Sequence, residues 1–402
     1  MTDAPTRSFL RRKRDLADDP GQPVGFKDVR LTAQEAEHGL VSAMDRIAAP
    51  RAPWSRVPFN VLAISGGAAG GAYGAGLLVG LSRAGRRPEF ALVTGVSTGA
   101  LIAPFAFLGP AWDGRLQDAY TGGHAAALFA LRRAVPGLEP GLFRAAALDG
   151  LIAPFIDAPL LEAVAAAHAE GRRLFVATTD LDRQRACIWD LGAIASQMRE
   201  AGEANAITLF RQILAASASL PGVFPPRMIA CRSGGRIYEE MHVDGGVAAP
   251  LFVLPDALLR LKGAGRRMRG GRVYIIANTI LEPAPLATAS NVPTILLRSF
   301  DTMLQFSYRQ AISVTATFCA GAGLPLAVAS IPDTAGHGVM LKFDTRSMTR
   351  LFDAEPRGRG MERSGRRDPR RLRLLPVCWR KPSASATEGV GLEPSPAGRE
   401  RS

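Results

Sequence analysis

Two long stretches of the chain carry no charged residue and dominate its hydrophobic pattern. Val61–Leu81 is uncharged over 21 positions and Phe90–Trp112 over 23. Each is as long as the ~20 apolar residues that cross a bilayer. The first, however, holds seven glycines, and the second breaks at Gly95 after a short β-type run, so we expect neither to span a membrane. Strands that are apolar at every position, without alternating polar residues, are typical of parallel sheets that helices cover on both faces.

Strand-like and helix-like segments alternate through the middle of the chain. Short apolar or β-branched runs predict strands at 61–64, 90–94, 173–179, 186–189 and 272–278. Helical patterns predict helices at 73–82, 98–109, 159–169, 207–217 and 294–320. In the last of these, the side that we expect to face the core holds Phe300, Met303, Leu304, Tyr308 and Ile312. The alternation predicts an α/β fold with a mainly parallel central sheet flanked by helices.

The composition changes at both ends of this α/β region, which we place at residues 57–352. Residues 1–56 are polar and mixed in charge, and we expect an N-terminal extension there. Residues 353–402 mix Arg, Pro, Gly and Ser with few apolar side chains, so they cannot bury enough surface to offset chain entropy, and we expect a disordered tail. No long apolar run follows the basic cluster Arg11–Arg14, so we expect no secretory signal and a cytoplasmic location.

The overall composition excludes several classes of protein. Of 402 residues, 47% are hydrophobic and 21% charged, which excludes wholesale disorder and a disulfide-dense miniprotein. The net charge is +13, but the last 49 residues, with 12 basic and 6 acidic side chains, carry +6 of it. A specific nucleic-acid partner is therefore not indicated, whereas peripheral contact with an anionic membrane is. Four cysteines are scattered without a C-x-x-C pair, so we expect neither disulfides nor a zinc site.

The sharpest candidate for chemistry is the segment from Gly95 to Gly99, which reads G-V-S-T-G between a predicted strand and a predicted helix. In that context a G-x-S-x-G segment forms a strained turn that exposes the serine hydroxyl at the carboxyl end of a sheet. The N-terminus of the following helix favours developing negative charge. Ser97 is therefore a candidate nucleophile, with Gly95 and Gly99 as the glycines of its turn. A serine that only caps the helix is the simpler alternative.

A second Gly-rich loop also lies between a predicted strand and a predicted helix. It includes Gly66, Gly67, Ala68 and Ala69, whose backbone N–H groups can hold a tetrahedral oxyanion or a phosphate. The glycines are out of register for a dinucleotide-binding loop, and no Gly-Lys-Ser/Thr follows, which excludes a P-loop. A purely structural turn is the alternative. It loses weight because two such loops occur about 30 residues apart, each with a strand before it and a helix after it.

A third segment, Asp244-Gly245-Gly246, lies far downstream after a short apolar stretch. An aspartate on a tight turn is often only the start of an Asx turn. The alternative is a carboxylate that is delivered to the serine.

These three segments together resemble the patatin-like phospholipase family over about residues 57–350. The family combines a Gly-rich oxyanion loop, a G-x-S-x-G turn and a downstream Asp-Gly-Gly/Ala, and the segment 215–226 looks like its small-residue helix with a Phe-Pro-Pro turn. The resemblance implies the family's three-layer α/β/α fold and a serine lipid acyl hydrolase of phospholipase A type that needs no metal or cofactor. The site it implies consists of Ser97 as nucleophile, Asp244 as proton acceptor, an oxyanion hole of Gly66, Gly67, Ala68 and Ala69, and the turn glycines Gly95, Gly99, Gly245 and Gly246.

The chain departs from the family pattern in the Gly-rich loop. That loop usually reads G-G-G-x-Arg/Lys-G, whereas this chain has Ala68 at the third glycine and Gly70 at the basic position. Without the cation, oxyanion stabilisation is weaker or differently aimed. The main alternative is therefore a catalytically weak relative that binds acyl chains or membranes.

A conventional Ser–Asp–His esterase is a further alternative. In the chain order of that triad the candidate is His337, which follows Asp244, while His242 lies two residues before the aspartate. An accessible aspartate base is protonated near pH ~4, and a histidine base near pH ~6.5. With an aspartate base, we expect the acidic limb of the rate profile to extend below pH ~6.

Overall fold

The computed structural model describes most of the α/β region and short parts of both terminal segments. The described residues are 21–31, 59–126, 145–253, 268, 270–282, 285, 287–332, 342–354, 357–361 and 374–375. His337, the fourth cysteine Cys378 and most of the expected disordered tail lie outside them, so the expectations that concern them stay predictions.

One sheet runs through the described part of the chain. Its strands are β1 (Gln22–Pro23), β2 (Arg30–Leu31), β3 (Val61–Ile64), β4 (Leu92–Val96), β5 (Arg173–Asp180), β6 (Arg185–Asp190), β7 (Arg227–Ser233), β8 (Arg236–Asp244), β9 (Val273–Ala277), β10 (Leu326–Ser330), β11 (Arg357–Met361) and β12 (Leu374–Leu375). Across the sheet the order is β1-β7-β8-β5-β4-β3-β9-β10-β11-β12, and β6 pairs with β5 and β2.

The centre of this sheet is parallel. β5, β4, β3, β9 and β10 pair in parallel, with Ala63 of β3 opposite Thr94 on one side and Ile275 on the other. The remaining pairings of the described strands are antiparallel and lie toward the edges. β3 and β4 are buried at every position, as expected for strands with helices on both faces. The prediction of a mainly parallel central sheet flanked by helices is confirmed.

Helices cover both faces of the parallel centre. They are α1 (Gly71–Arg83), α2 (Thr98–Leu108), α3 (Asp113–Thr121), α4 (Ala145–Ile152), α5 (Ala158–Ala169), α6 (Leu191–Ser196), α7 (Met198–Ala201), α8 (Glu203–Ser217), α9 (Val292–Ala322) and α10 (Thr345–Asp353). Alternate residues of β3 separate the two faces. Leu62 and Ile64 belong to the core that includes α1, α2, α5 and α8, whereas Val61 and Ala63 belong to the core that includes α9.

Part of the segment expected as a polar N-terminal extension belongs to this sheet. β1 pairs with β7, and β2 pairs with β6. Arg30 of β2 is only 3% exposed, and its guanidinium lies 2.5 Å from Glu240 and 3.6 Å from Asp180, two fully buried carboxylates. Arg183 contacts both carboxylates as well. Without Arg30 these buried charges would lose a partner, so residues 21–31 are part of the folded unit.

Two strands fall in the segment that was expected to be disordered. β11 pairs antiparallel with β10 over its full length, and β12 pairs with the end of β11. The expectation of disorder therefore does not apply to these two strands. The other residues from 355 onward lie outside the described part of the chain.

The two uncharged stretches each divide into a strand, a turn and a helix, as expected. No helix among the described residues combines the length and the apolar composition that crossing a bilayer requires. Cys187, Cys231 and Cys319 are buried free thiols.

Candidate active site

The candidate segments meet at the carboxyl ends of the central parallel strands. β3 ends before the Gly-rich loop, β4 ends before Ser97, and β9 ends before Asn278. β3 and β9 are neighbours in the sheet. From β3 the chain continues to the strand on one flank, β4, whereas from β9 it continues in the opposite direction across the sheet, to β10. Ligands of open α/β sheets bind in the crevice that such a change of direction creates.

Ser97 occupies the turn between β4 and α2 in a backbone conformation that few non-glycine residues adopt. Its φ is 56° and its ψ is −127°. A Cβ on Gly99 would collide with the backbone oxygens of Ile64 and Ser65, and one on Gly95 would lie 2.5 Å from the Gly99 oxygen. Close backbone contacts therefore require both glycines of the turn. The Ser97 side chain makes no capping hydrogen bond to α2, so capping does not describe this serine.

The Ser97 hydroxyl contacts Asp244. Ser97 Oγ donates a hydrogen bond of 2.6 Å to Asp244 Oδ2, across 147 positions of sequence. The sheet register explains this contact. Along one edge of β5, Val96 of β4 pairs with Ala177, and Asp244 of β8 pairs with the next residue, Thr178. The end of the antiparallel strand β8 therefore lies directly beyond the end of the parallel strand β4.

Asp244 is held from several sides and shielded from water. It is 3% exposed, its Oδ1 accepts a 2.7 Å hydrogen bond from the Gly246 N–H, and its own N–H donates to the Ser219 oxygen. Burial raises the pKa of Asp244 to about 6, because the hydrogen bonds from Ser97 and Gly246 offset desolvation only in part. The Asp244 carboxylate thus accepts the hydrogen bond of an Asx-type turn from Gly246 and also accepts one from Ser97. The two interpretations of this segment, a turn residue and a carboxylate that reaches the serine, are therefore compatible.

Ser217, which the sequence analysis did not single out, supports this pair. The Ser97 N–H donates to Ser217 Oγ at 3.0 Å, and Ser217 Oγ donates to the Ala177 oxygen at 2.7 Å. Ser217 is fully buried at the end of α8, and Ser219 follows it. Only the small-residue character of this segment is visible in the sequence, and that character does not indicate which serine bonds to the turn.

The Gly-rich loop leads through one short 3-10 turn into the N-terminus of α1. Gly67 has a φ of 149° and Ala68 a φ of 48°, values that L side chains rarely adopt. The N–H groups of Gly67, Ala68 and Ala69, and that of Thr98 after the serine, make no hydrogen bond to another described residue. An anion placed here would meet unpaired donors and the positive ends of α1 and α2.

Asn278, directly after β9, holds the Gly-rich loop against the sheet. Its Nδ2 donates to the Ser65 oxygen at 2.8 Å, its N–H donates to Ser65 Oγ at 2.9 Å, and its Oδ1 accepts from the Gly74 N–H at 3.1 Å. A Cβ on Gly67 or Gly70 would collide with the Asn278 backbone oxygen. The sequence pattern predicts a strand that ends here and carries no signal for this role of the amide.

His242 is part of the core and does not bond to Ser97 or Asp244. Its Nδ1 lies 3.0 Å from Thr178 Oγ1 and its Nε2 lies 3.3 Å from Glu240 Oε2. Burial lowers the pKa of His242, so the ring is neutral near pH 7. Across the described residues, no three His, Cys, Asp or Glu side chains are grouped in a way that could hold a metal ion.

An apolar cavity of about 90 Å³ borders the site. Ala68 of the Gly-rich loop and Thr98 of the serine turn line one part of it, and the other lining side chains include Phe105, Phe155 and Leu214. Its lining is almost entirely apolar. Such a lining suits a hydrocarbon group better than a polar one.

Comparison with known proteins gives one family match. The family model described as patatin-like phospholipase matches residues 62–256. Among solved structures, the crystal structure of VipD from Legionella pneumophila is similar at 11% sequence identity and a TM-score of 0.30, over 76% of this chain and 68% of that chain. The search of curated proteins finds no match.

We expect Asp244→Asn to stabilise the folded chain at alkaline pH. The folded-state pKa of about 6 lies above the ordinary value of 3.8, so the protonated carboxyl stabilises the fold below pH ~4, and this stabilisation is lost as the pH rises through 6. Asparagine stays uncharged at every pH, so its gain at pH ~8 should approach about 3 kcal/mol and should vanish near pH ~4. Urea unfolding at the two pH values measures this difference.

The matched control for this prediction is Asp353→Asn, which neutralises an exposed aspartate at the end of α10. It should change the free energy of unfolding little at either pH. A gain for Asp244→Asn that is the same at both pH values would contradict the role assigned to burial of this charge.

Proposed function

Because residues 62–256 form a domain of the patatin-like phospholipase family, a family of lipid acyl hydrolases, we propose that this chain cleaves acyl esters of lipids through a covalent Ser97 intermediate. The observation that carries the proposal is the 2.6 Å hydrogen bond from Ser97 Oγ to Asp244. Ser97 itself lies on a strained turn. The unpaired N–H groups of the Gly-rich loop and the apolar cavity lie beside this turn. The proposed reaction is of the phospholipase A type, in which an ester of a fatty acid is hydrolysed.

Asp244 acts as the general base in this proposal. A free aspartate is a weak base because its pKa is ~3.9. The burial that raises the pKa of Asp244 to about 6 makes it a better proton acceptor, and most of it is still ionised near pH 7. As Oγ of Ser97 attacks the acyl carbonyl carbon, its proton passes to Asp244, the new C–O bond forms, and the carbonyl π pair moves onto the oxygen.

Backbone donors then stabilise the oxyanion. The unpaired N–H groups of Gly67, Ala68 and Thr98 point to a place for it at the ends of two helices, with Gly66 and Ala69 completing the loop. Collapse of the tetrahedral intermediate breaks the ester C–O bond, and the leaving alkoxide takes the proton from the base. Water attacks the acyl-enzyme while the same carboxylate accepts its proton. The second collapse returns that proton to the serine and releases the fatty acid.

The apolar cavity supports an acyl substrate. Its lining includes Ala68 of the Gly-rich loop and Thr98, the residue after the serine, together with aromatic and aliphatic side chains. We propose that it takes the hydrocarbon end of the acyl group, whose burial supplies binding energy. That energy serves catalysis when it holds the carbonyl carbon against Ser97 Oγ.

A catalytically weak acyl-binding protein is the second candidate. From Ser65 to Ser82 the loop and its helix carry no charged side chain, and Ala68 stands in a conformation that favours glycine. Both features favour weaker oxyanion stabilisation than a loop with a cation would give. A folded chain that binds lipid but does not react with a serine-directed probe would support this candidate.

A Ser–Asp–His triad is the least favoured reading. Thr178 and Glu240 occupy both ring nitrogens of His242, and the ring packs against Trp189. His337, the triad candidate in the chain order, lies outside the described residues.

We also propose that the domain meets its substrate at an anionic membrane surface through helix α9. One side of this helix is apolar yet exposed, with Leu296, Met303 and Phe306 each 64–66% exposed. On another side of the same helix, Leu304 lies 3.7 Å from the position of a Cβ on Gly246, next to the catalytic carboxylate. The exposed apolar surface is therefore one helix diameter from the site.

An anionic bilayer is the occupant that the charge favours. The chain carries +13, and the Arg309 guanidinium lies 4.6 Å from the centre of the Phe306 ring. At a membrane surface an arrangement of this kind places apolar side chains among the acyl chains and the cation among the headgroups. Val247, which follows the Asp244 turn, is also apolar and exposed, at 41%.

We expect a fluorophosphonate probe to label the wild-type chain at Ser97, and short p-nitrophenyl esters to be hydrolysed. Ser97→Ala should abolish both, because it removes the hydroxyl that donates to Asp244. Ser196→Ala, which changes an exposed serine on α6, is the matched control and should retain both. Labelling that survives Ser97→Ala would contradict the catalytic assignment. A folded wild type without labelling would favour the acyl-binding candidate.

The burial of Asp244 changes the expected pH profile. Instead of extending well below pH ~6, the acidic limb of kcat/KM should have its midpoint near pH 6, because the base is lost as the carboxylate is protonated. A histidine base would give a limb close by, near ~6.5, so its position alone does not identify the base. The temperature dependence of the midpoint does identify the base, because ionisation of a carboxylic acid absorbs little heat and ionisation of imidazolium absorbs much more.

The midpoint should therefore stay nearly fixed between about 10 and about 40 °C, and His242→Gln and His337→Gln should retain most activity. A midpoint that moves to lower pH on warming, together with inactivity of His337→Gln, would replace the dyad with a triad.

We expect the double variant Met303→Asp/Phe306→Asp to bind phosphatidylglycerol-containing vesicles much more weakly than wild type. It removes two exposed apolar side chains and adds negative charge, while hydrolysis of a water-soluble ester should stay unchanged. Ile237→Asp, at an exposed apolar position of β8, is the control and should bind as wild type does. Vesicle sedimentation at two salt concentrations measures the binding, and salt should weaken it. Equal vesicle binding with a changed oligomeric state would show that a second copy covers this face instead.

A further inference from the structure

Tyr308 of helix α9 brings a hydroxyl group to the catalytic serine. A Cβ built on Gly66 would lie 3.0 Å from Tyr308 Oη, 3.1 Å from Ser97 Cβ and 3.7 Å from Ser97 Oγ. The hydroxyls of Tyr308 and Ser97 therefore both border the first glycine of the oxyanion loop. One turn earlier on α9, Leu304 reaches Gly246, so the helix packs against both ends of the dyad.

The Tyr308 side chain is buried, and its hydroxyl has no hydrogen-bond partner among the described residues. The side chain is 2% exposed, and Oη forms no hydrogen bond with any of these residues. Burial, together with the negative charges of Asp244 and Asp301, raises the pKa of Tyr308 well above its ordinary value. The hydroxyl therefore keeps its proton and remains a donor.

We propose that Tyr308 is a further catalytic residue, which donates a hydrogen bond to the acyl carbonyl oxygen of the substrate and holds it as it becomes an oxyanion. This inference rests on the proposed serine hydrolysis. The carbonyl carbon bonds to Ser97 Oγ in the intermediate, so its oxygen comes to lie in the space that Ser97, Gly66 and Tyr308 border. The oxyanion then receives a side-chain donor in addition to the backbone donors of a loop that has no charged side chain.

The environment favours hydrogen-bond donation over the other roles of a tyrosine. A raised pKa makes Tyr308 a poor acid, so protonation of the leaving alkoxide falls to Asp244, which already holds the proton. A neutral phenol that is fixed in a water-poor site can stabilise developing negative charge without any reorganisation. A role in packing alone would need the ring and not its oxygen.

The test compares Tyr308→Phe with Tyr73→Phe. Tyr73 is a fully buried tyrosine of α1 whose hydroxyl also has no hydrogen-bond partner among the described residues, so it controls for the loss of an unpaired tyrosine hydroxyl. We expect Tyr308→Phe to lower kcat for a p-nitrophenyl ester roughly 100-fold, as the loss of one oxyanion donor does elsewhere. KM should change little, and the melting temperature should stay equal or rise. Tyr73→Phe should leave kcat unchanged.

A trifluoromethyl ketone gives a second readout that needs no turnover. Its carbonyl carbon adds the Ser97 hydroxyl to form a hemiketal oxyanion, with the proton on Asp244, so it reports on the same donors. Tyr308→Phe should weaken inhibition by this ketone by the same factor as it lowers kcat/KM. An unchanged kcat, or a lower kcat with an unchanged inhibition constant, would overturn the inference and leave serine hydrolysis intact. A wild type that neither turns over nor binds the ketone would refute serine hydrolysis itself, and this inference with it.

Discussion

The hydrogen bond between Ser97 and Asp244 depends on how one edge of β5 is shared. The parallel strand β4 pairs with this edge as far as Ala177, and the antiparallel strand β8 takes over at Thr178. Because the two strands run toward each other, their ends meet, and each delivers one member of the hydrogen-bonded pair Ser97 and Asp244. The fold-defining parallel centre thus supplies the serine turn and the Gly-rich loop, whereas an antiparallel addition at its edge supplies the carboxylate.

The site combines several features that cost stability and that the surrounding sheet and helices hold in place. Ser97 and Ala68 have positive φ values, and Asp244 carries its charge in a buried position. The same features are useful for chemistry, since the strained turn exposes Oγ and burial makes the carboxylate a stronger base. Fully buried neighbours fix the geometry, Ser217 against the serine turn and Asn278 against the Gly-rich loop. Precision here comes from the rigid carboxyl ends of strands.

Helix α9 links the site to the molecular surface through two of its sides. Tyr308 approaches Gly66 beside Ser97, and Leu304 approaches Gly246 beside Asp244, while Met303 and Phe306 are exposed. The expectation that Met303 faces the core was wrong. Positions 300, 304, 308 and 312 follow a four-residue spacing that stays close to one side of a helix, whereas Met303 lies about 100° away from Leu304 and falls outside the contact. An apolar residue in a helix is therefore no proof of burial, least of all where a surface contact with lipid is proposed.

Local patterns were enough to predict the α/β class, four of the five central parallel strands and the segments around Ser97, Gly66 and Asp244, because apolar runs and close-packed glycines act over a few neighbouring residues. The fifth parallel strand, β10, was not predicted. The antiparallel strands β1, β2, β7 and β8 were not predicted. β7 and β8 carry many polar and exposed positions, and β1 and β2 are only two residues long. The meeting of Ser97 with Asp244 across 147 positions depends on sheet register, which no local pattern contains. The same holds for the environment of each group. The burial of Asp244, the partners of His242 and the approach of Tyr308 to the Gly-rich loop all depend on residues distant in sequence, so only the tertiary structure decided them.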